Sequence, residues 1–184
     1  MKSLSARELV LAGLFAALTA VGAFLKVPLE PVPFTLQPLV VFLAGVVLRP
    51  RAALFSQVVY ILVGLAGLPV FARGGGPAYV LQPTFGFLVG FAVGAWAISA
   101  VCHAGRSPGG AARTVAGLLV GLVVVYGCGV AGLYLNLALF QGKAAVFRKV
   151  VWGLGAYLGF DLVKVGIAAA LARPLRRAVA AASG

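Results

Sequence analysis

The stretch WGLGAYLGFDLVKVGIAAALAR, residues 152–173, decides how this chain folds. It is almost entirely apolar, and a helix of this length, at about 1.5 Å per residue, crosses the roughly 30 Å hydrocarbon core of a membrane. Asp161 and Lys164 lie inside it, and their three-residue spacing places both on one face of a helix. Each charge costs about 2.5–3.5 kcal/mol near a membrane centre, so the pair requires a partner, a polar cavity or a ligand.

The Asp161–Lys164 pair has two interpretations that the sequence leaves open. The first is a structural ion pair that fixes the packing of helices. The second is the polar floor of a binding site inside a helical bundle, which is the default hypothesis for ionisable side chains within a membrane. We favour the binding site.

The composition places nearly the whole chain in a lipid bilayer. Of 184 residues, 62% are apolar, the mean hydropathy is +1.11, and only 10% are charged, whereas about 25% are charged in an ordinary soluble domain. We therefore predict an all-α integral membrane protein with a single domain over residues 1–184. The net charge of +12 does not indicate nucleic-acid binding, because the basic residues are scattered singly between apolar runs.

Six apolar segments predict six transmembrane helices packed in one bundle. The predicted spans cover about residues 9–25, 36–48, 52–68, 84–102, 114–137 and 152–172, and residues 140–150 predict a separate interfacial helix. An even number of crossings places both termini on one side of the membrane. That side carries Lys2, Arg7, Arg49, Arg51, Arg106, Arg113, Arg173, Arg176 and Arg177, whereas the other side carries Lys26, Arg73, Lys143, Arg148 and Lys149. The excess of basic residues predicts cytoplasmic termini.

Two irregular loops interrupt the apolar segments on the side opposite the termini. KVPLEPVPFTLQP, residues 26–38, and PVFARGGGPAYVLQP, residues 69–83, hold seven of the ten prolines. In residues 26–38 the proline density excludes helix and favours a stiff, extended loop. Irregular backbone at membrane depth is tolerated where it covers a cavity, so the loops predict a lid over a pocket that opens to the outside. The glycine triplet at 74–76 is not a phosphate-binding loop, because no lysine follows it in the required pattern.

The sequence lacks the patterns of a membrane enzyme or a metal protein. His103 is the single histidine, and Cys102 and Cys128 fall in different predicted spans without metal-ligand spacing. No HExxH or nucleophile-turn motif is present. We predict no enzymatic activity, no catalytic residue, no metal and no cofactor. An ion-coupled carrier stays open because intramembrane acids serve as proton relays, and an ATP-driven role requires partner subunits because the chain has no ATPase motif.

Four segments carry a family resemblance: VPFTLQ (32–37), GLPVFARGGG (67–76), QPTFGFLVGF (82–91) and DLVK (161–164), in this order. Together they resemble the BioY family, the biotin-binding S components of energy-coupling-factor vitamin transporters. The resemblance implies six transmembrane helices and an outward-facing biotin pocket that is closed by the loops after helices one and three. It also implies a transmembrane coupling subunit and two cytoplasmic ATPase subunits as partners, in a bacterial or archaeal cytoplasmic membrane.

The resemblance also implies where a partner and a ligand bind. The family docks through small-residue faces, so the expected docking strip is Ala12, Ala16 and Ala20 of the first span. The family's last-helix acid and base fall on Asp161 and Lys164. The other ligand-binding candidates are aromatic or polar residues of the two loops, the loop–span junctions and the last span, namely Phe34, Thr35, Gln37, Phe71, Arg73, Tyr79, Thr84 and Tyr157. Packing is the alternative role of the four aromatic residues, and helix capping is that of Thr35, Gln37 and Thr84.

Biotin can be oriented in two ways against these residues. A ureido ring offers two N–H donors and a carbonyl, so an ionised Asp161 suits the ring, and Lys164 suits the valerate carboxylate. In the opposite arrangement, Lys164 donates to the ureido carbonyl, and backbone N–H groups or Arg73 hold the carboxylate. The sequence leaves both arrangements open.

Two departures from the family pattern bear on the pocket. Ala156 and Gly159 stand where family members usually have proline, which bears on where the sixth helix begins. Phe85 stands in PTFGF where glycine is common, which predicts extra bulk beside the pocket. Three functions follow from the whole sequence: the capture subunit of an ATP-driven biotin importer, a self-sufficient biotin facilitator or ion-coupled carrier, and an S component for a different vitamin.

Overall fold

Helices make up most of the structure, a computed structural model that describes residues 4–29, 32–105 and 110–181. Three residues that entered the sequence predictions, Lys2, Pro31 and Arg106, lie outside these ranges. In chain order the described residues form α1 (Ala6–Phe24), β1 (Lys26–Val27), β2 (Phe34–Thr35), α2 (Gln37–Val47), α3 (Pro50–Leu65), a 3₁₀ helix (Pro77–Leu81), α4 (Phe85–Cys102), α5 (Ala111–Leu133), a π-helical segment (Tyr134–Phe140) and α6 (Ala144–Ala181).

Four helices in this part of the chain are long and apolar enough to cross a membrane. They are α1, α4, α6, and α5 together with its π-helical segment. α2 and α3 are apolar but shorter, with 11 and 16 residues. The predicted spans 36–48 and 52–68 thus correspond to helices that are shorter than a full membrane crossing, which takes about 20 residues.

Local sequence signals set several helix ends. α1 begins with a capping box, in which Ser5 Oγ accepts a hydrogen bond from the Glu8 backbone N–H and the Glu8 carboxylate accepts one from Ser5 N at 2.9 Å. α2 and α3 each carry proline in the first turn, where no helical N–H partner is lost. α3 ends just before Gly67, whose φ of +112° takes the chain out of the helix.

The two proline-rich loops contain more regular secondary structure than the sequence predicted. In the first loop, β1 pairs antiparallel with β2, so that Lys26 lies opposite Thr35. The second loop contains the 3₁₀ helix, which begins at Pro77 and which the proline density did not predict. The Lys26 ammonium group donates to the backbone oxygen of Ala72, so the two loops contact each other above the helices.

The small-residue strip of α4 packs against α5. A Cβ atom added at Gly86 would lie 2.5 Å from Cys128 O and 2.8 Å from Gly132 Cα, so only glycine fits there. At Gly90 an added Cβ would lie 2.9 Å from Val125 O. This close approach brings Val125 and its neighbour Tyr126 to the wall of the cavity described below.

The strip predicted for docking on α1 is not open to a partner, so that prediction is wrong. Ala12 is 0% exposed and Ala16 is 7% exposed, because this face of α1 packs on the chain's own helices α2 and α3. Ala20 is half-buried beside the same core. Beyond its first residue, Ala6, the small residues that α1 exposes are Gly13 and Ala17, on the next face around the helix.

α6 is one continuous helix of 38 residues. The segment predicted as a separate interfacial helix, residues 140–150, forms its first turns from Ala144 onward, because no proline or other stop signal separates it from the last span. Ala156 and Gly159 therefore lie inside the helix rather than at its start. Asp161 and Lys164 lie near its middle, on the face turned toward the bundle.

Candidate ligand-binding site

A cavity of about 70 Å³ lies between the two loops and helices α2, α4, α5 and α6. Its lining residues are Val32, Pro33, Phe34, Thr35, Gln37, Pro38, Ala72, Tyr79, Thr84, Phe87, Leu88, Phe91, Val125, Tyr126, Leu154, Tyr157, Asp161 and Lys164. Pockets that hold small ligands usually measure about 300–1,000 Å³. A vitamin-sized ligand therefore requires the loops or the lining side chains to move apart.

The charged pair lies on the wall of this cavity, and both of its members have hydrogen-bond partners beyond each other. Lys164 Nζ lies 2.6 Å from Asp161 Oδ1 and donates a second hydrogen bond to Thr35 O at 2.7 Å. The Tyr126 hydroxyl donates to Asp161 Oδ2 at 2.8 Å. Asp161 is 6% exposed and Lys164 is 4% exposed. Each buried charge thus has its opposite charge and further hydrogen-bond partners, which is the condition for keeping it ionised away from water.

The first loop is attached to α6 at several points around this pair. The Phe34 ring centroid lies 4.1 Å from Lys164 Nζ and 5.9 Å from the ring of Tyr157. The Tyr157 hydroxyl donates to Val32 O at 2.8 Å. Together with the bond from Lys164 to Thr35 O, these contacts hold residues 32–35 over the cavity.

The second loop contributes one aromatic ring and one polar group to the cavity. Tyr79 and Thr84 line the cavity and are 6% and 8% exposed. Thr84 Oγ1 is buried and has no hydrogen-bond partner among the described residues. A buried hydroxyl without a partner loses free energy on leaving water, so Thr84 is suited to receive a polar group of a ligand.

Most residues predicted from the sequence meet in this one cavity. Those that line it are Phe34, Thr35, Gln37, Tyr79, Thr84, Tyr157, Asp161 and Lys164. Phe71 and Arg73 do not line it: Phe71 is buried between Tyr60 and Tyr79, whereas Arg73 is exposed. Phe85, expected to add bulk beside the pocket, also lies outside the lining.

Sequence reasoning missed Tyr126 and the apolar wall. Tyr126 is the one aromatic hydroxyl within the helical part of α5, and it contacts Asp161 directly. The rule that drew attention to Asp161, that polar groups inside an apolar span mark function, applied equally to Tyr126. Phe87, Phe91 and Val125 gave no such signal because apolar residues occur throughout the spans.

Within residues 4–29, 32–105 and 110–181, no three His, Cys, Asp or Glu side chains lie close enough to share a metal ion. The titratable groups of the cavity are the carboxylate of Asp161, the ammonium group of Lys164 and three tyrosine hydroxyls. This arrangement can donate and accept hydrogen bonds and can present both signs of charge to a small polar ligand.

Comparisons with known proteins agree with the family resemblance. The sequence profile of the BioY family matches residues 1–181. The chain is 51% identical over 150 residues to a probable biotin transporter BioY of Lysinibacillus sphaericus. That alignment covers 82% of this chain and 76% of the relative. It is 39% identical over 175 residues to the biotin transporter BioY of Thermotoga maritima. That alignment covers 93% of this chain and 96% of the relative.

A solved structure shares the fold. The crystal structure of the S-component for biotin from an ECF-type ABC transporter superposes with a TM-score of 0.77 and covers 95% of each chain, at 19% sequence identity. The chain therefore shares the fold of that protein, and the predicted all-α fold class is confirmed. Transporter components make up the family, which confirms the prediction that the chain is not an enzyme. The match over residues 1–181 and the identity to these relatives show that the chain belongs to the BioY family.

Proposed function

We propose that this chain captures biotin from outside the cell and delivers it inward as the substrate-specific subunit of an ATP-driven energy-coupling-factor importer. One observation carries the proposal: the buried Asp161–Lys164 pair lies on the wall of a loop-covered cavity. The relatives named as biotin transporters support biotin as the ligand.

The chemistry of the cavity suits the two halves of biotin. The ureido ring has N–H donors and a carbonyl acceptor, which match the Asp161 carboxylate and the Lys164 ammonium group. Binding replaces contacts that these groups make with each other and with Thr35 O. The Thr84 hydroxyl is available for a further polar contact. The bicyclic ring and the alkyl chain match an apolar wall formed by Phe87, Leu88, Phe91, Val125 and Leu154.

In this proposal the chain crosses a bacterial or archaeal cytoplasmic membrane six times, with both termini in the cytoplasm. α2 and α3 are short crossings, and the two loops complete the outer side of the bundle. Loop backbone at this depth is compatible with a membrane because it covers a cavity rather than facing lipid. The basic residues near both termini support the same orientation.

The proposed partners are a transmembrane coupling subunit and two cytoplasmic ATPase subunits. The S-component fold supports this partnership. The exposed residues Gly13 and Ala17 of α1 form the surface on which we place the coupling subunit, since small residues let another helix approach closely.

Uptake of labelled biotin tests this proposal in cells that have no other biotin importer. The chain is expressed with the coupling and ATPase subunits, without them, or with an ATPase subunit that cannot hydrolyse ATP. We expect uptake only with the complete, active set, and we expect unlabelled biotin but not thiamine to compete. Uptake by the chain alone would instead establish a self-sufficient facilitator or ion-coupled carrier, and competition by another vitamin would change the substrate.

A further inference from the structure

Tyr60 of α3 lies outside the cavity lining and uses both functions of its hydroxyl. The oxygen accepts a hydrogen bond from Gln37 Nε2 at 2.7 Å, and the hydroxyl donates to Val70 O of the second loop at 3.1 Å. Tyr60 is 2% exposed. Since the residue does not line the cavity, any effect it has on a ligand acts through the residues that it touches.

Gln37 connects Tyr60 to the charged pair. Gln37 lines the cavity, and its Oε1 accepts a hydrogen bond from Thr35 Oγ1 at 3.2 Å. The backbone oxygen of Thr35 in turn accepts from Lys164 Nζ at 2.7 Å. Hydrogen bonds thus connect Lys164 of α6 to Thr35 of β2, Gln37 of α2 and Tyr60 of α3 in turn. The bond from Tyr60 to Val70 extends this connection to the second loop.

A set of ring contacts joins Tyr60 to the same loop. The Tyr60 ring packs edge-on against Phe71, with 5.4 Å between ring centroids, and Phe71 packs against Tyr79 at 4.4 Å. Tyr79 lines the cavity. Phe71 fills the space above Gly64, where an added Cβ would lie 2.1 Å from the ring. Tyr60 therefore holds two consecutive residues of the loop, Val70 through its hydroxyl and Phe71 through its ring.

We propose that Tyr60 is a positioning residue that couples the polar groups of the binding site to the second loop, so that bound ligand holds residues 66–76 closed. A ligand group that takes a hydrogen bond from Lys164 releases the backbone oxygen of Thr35, and Thr35 can then shift together with Gln37, which is bonded to its hydroxyl. Because the amide donor of Gln37 is bonded to Tyr60, that change reaches Val70. Because the cavity is smaller than a vitamin, the loops must open for the ligand to enter. The coupling through Tyr60 would affect this opening of the second loop. This inference rests on the proposed binding of biotin.

Hydrogen–deuterium exchange of the purified protein, with and without biotin, tests the coupling. Tyr60→Phe removes the hydroxyl and keeps the ring against Phe71. The matched control is Tyr134→Phe, because Tyr134 also packs edge-on against a phenylalanine but is 46% exposed and does not line the cavity. Affinity and dissociation rate are measured on the same samples.

We expect biotin to slow exchange in residues 32–36 and 66–76 of the wild type and of Tyr134→Phe. In Tyr60→Phe, the protection of residues 32–36 remains while that of residues 66–76 is lost. Its affinity falls about fivefold to thirtyfold, mainly through faster dissociation, because the buried Gln37 amide and the Val70 carbonyl lose a hydrogen-bond partner. If Tyr60 served stability alone, Tyr60→Phe would lower the melting temperature, and biotin would still protect both loops from exchange.

Wild-type protection and affinity in Tyr60→Phe would overturn the inference and leave the proposed function intact. Failure of the folded wild type to bind biotin would overturn the proposed function and this inference with it. Gln37→Met provides a second variant, since it removes the amide donor that joins Tyr60 to the cavity and leaves the ring and hydroxyl of Tyr60 in place. If Tyr60→Phe does not fold, undiminished biotin-dependent protection of residues 66–76 in Gln37→Met overturns the coupling.

Discussion

The hydroxyl of Tyr126 on α5 donates a hydrogen bond to Asp161 Oδ2 on α6 at 2.8 Å. Asp161 Oδ1 is bonded to Lys164, so both carboxylate oxygens have a partner on the cavity wall. Hydrogen bonds to an ionised acceptor are shorter and stronger than those between neutral groups. Tyr126 therefore holds the carboxylate that we assign to ligand binding in one orientation.

Replacement of Tyr126 by phenylalanine tests this relationship. The ring keeps its edge-on contact with Phe87, whose centroid lies 6.2 Å away, so the fold is expected to persist. Loss of a hydrogen bond to a charged group typically costs about 1.5–3 kcal/mol, which corresponds to a roughly tenfold to hundredfold weaker affinity for biotin. Calorimetric titration measures the change, with Tyr134→Phe as the control. Unchanged affinity would mean that Asp161 is held without Tyr126.

Thr84→Val is expected to change stability and binding in opposite directions. Valine has nearly the shape of threonine and removes a buried hydroxyl that has no hydrogen-bond partner in the described residues, so the ligand-free protein gains about 1 kcal/mol in its free energy of unfolding. If biotin uses this hydroxyl, its affinity falls at the same time. Thermal melting in detergent and calorimetry measure the two effects. A variant that is less stable, with unchanged affinity, contradicts the assignment of Thr84 to the ligand.

Substitutions at two neighbouring positions on α1 distinguish a residue that contacts the coupling subunit from one that packs inside the chain. Gly13→Leu places a bulky group where an added Cβ meets no atom within 4 Å, so the protein folds and binds biotin, but the coupling subunit no longer copurifies with it. Ala12→Leu inserts the same group into a fully buried site, which destabilises the fold by about 1–3 kcal/mol. Val123→Phe, at an exposed position of α5, is the control for added bulk. Retained copurification in Gly13→Leu would move the docking surface elsewhere.

The stability of the protein is expected to fall in mild acid because of His103. Burial lowers the pKa of His103 below its ordinary value of 6.5; a hydrogen bond to the Ser99 carbonyl opposes this shift, and the charges of Arg176 and Arg49 add to it. The unfolded chain therefore binds a proton at His103 at a higher pH than the folded chain does. Stability that is present above pH 6.5 is lost as the pH falls through this value.

Melting temperatures at pH 7.5 and pH 5.5 measure this effect. His103→Gln, which does not titrate, is expected to show a smaller loss than the wild type on going to the lower pH. An equal loss in both proteins would assign the pH dependence to other groups. Biotin affinity is expected to be unaffected, because His103 does not line the cavity.

Much of the site could be predicted because charge is rare in this chain. Asp161 and Lys164 stand out from an apolar background, and the loop residues Phe34 and Thr35 belong to a recognisable segment. Phe71 was predicted as a cavity wall, but it packs under the loop, because an aromatic residue in a loop serves packing as readily as binding.

Orientation and helix length were harder to predict than helix position. The alanines at 12 and 16 form a strip of small residues, but such a strip packs equally well on the chain's own helices or on a partner, and here it packs on the chain. The hydropathy of residues 152–172 identified the apolar part of α6 and not its polar first turns, which continue the same helix from Ala144. Helix continuity depends on the absence of stop signals more than on hydropathy.

Calorimetric titration with biotin of the purified wild type, Asp161→Asn and Lys164→Ala tests whether the buried charged pair binds the ligand. Lys143→Ala, at an exposed position, is the control for loss of a positive charge. Removal of either buried partner should cost roughly 2–5 kcal/mol, so the account predicts tight binding by the wild type and the control, and an affinity about 30-fold to several thousandfold weaker in the two variants. Tight binding that survives both substitutions in folded protein would contradict it and make the pair structural.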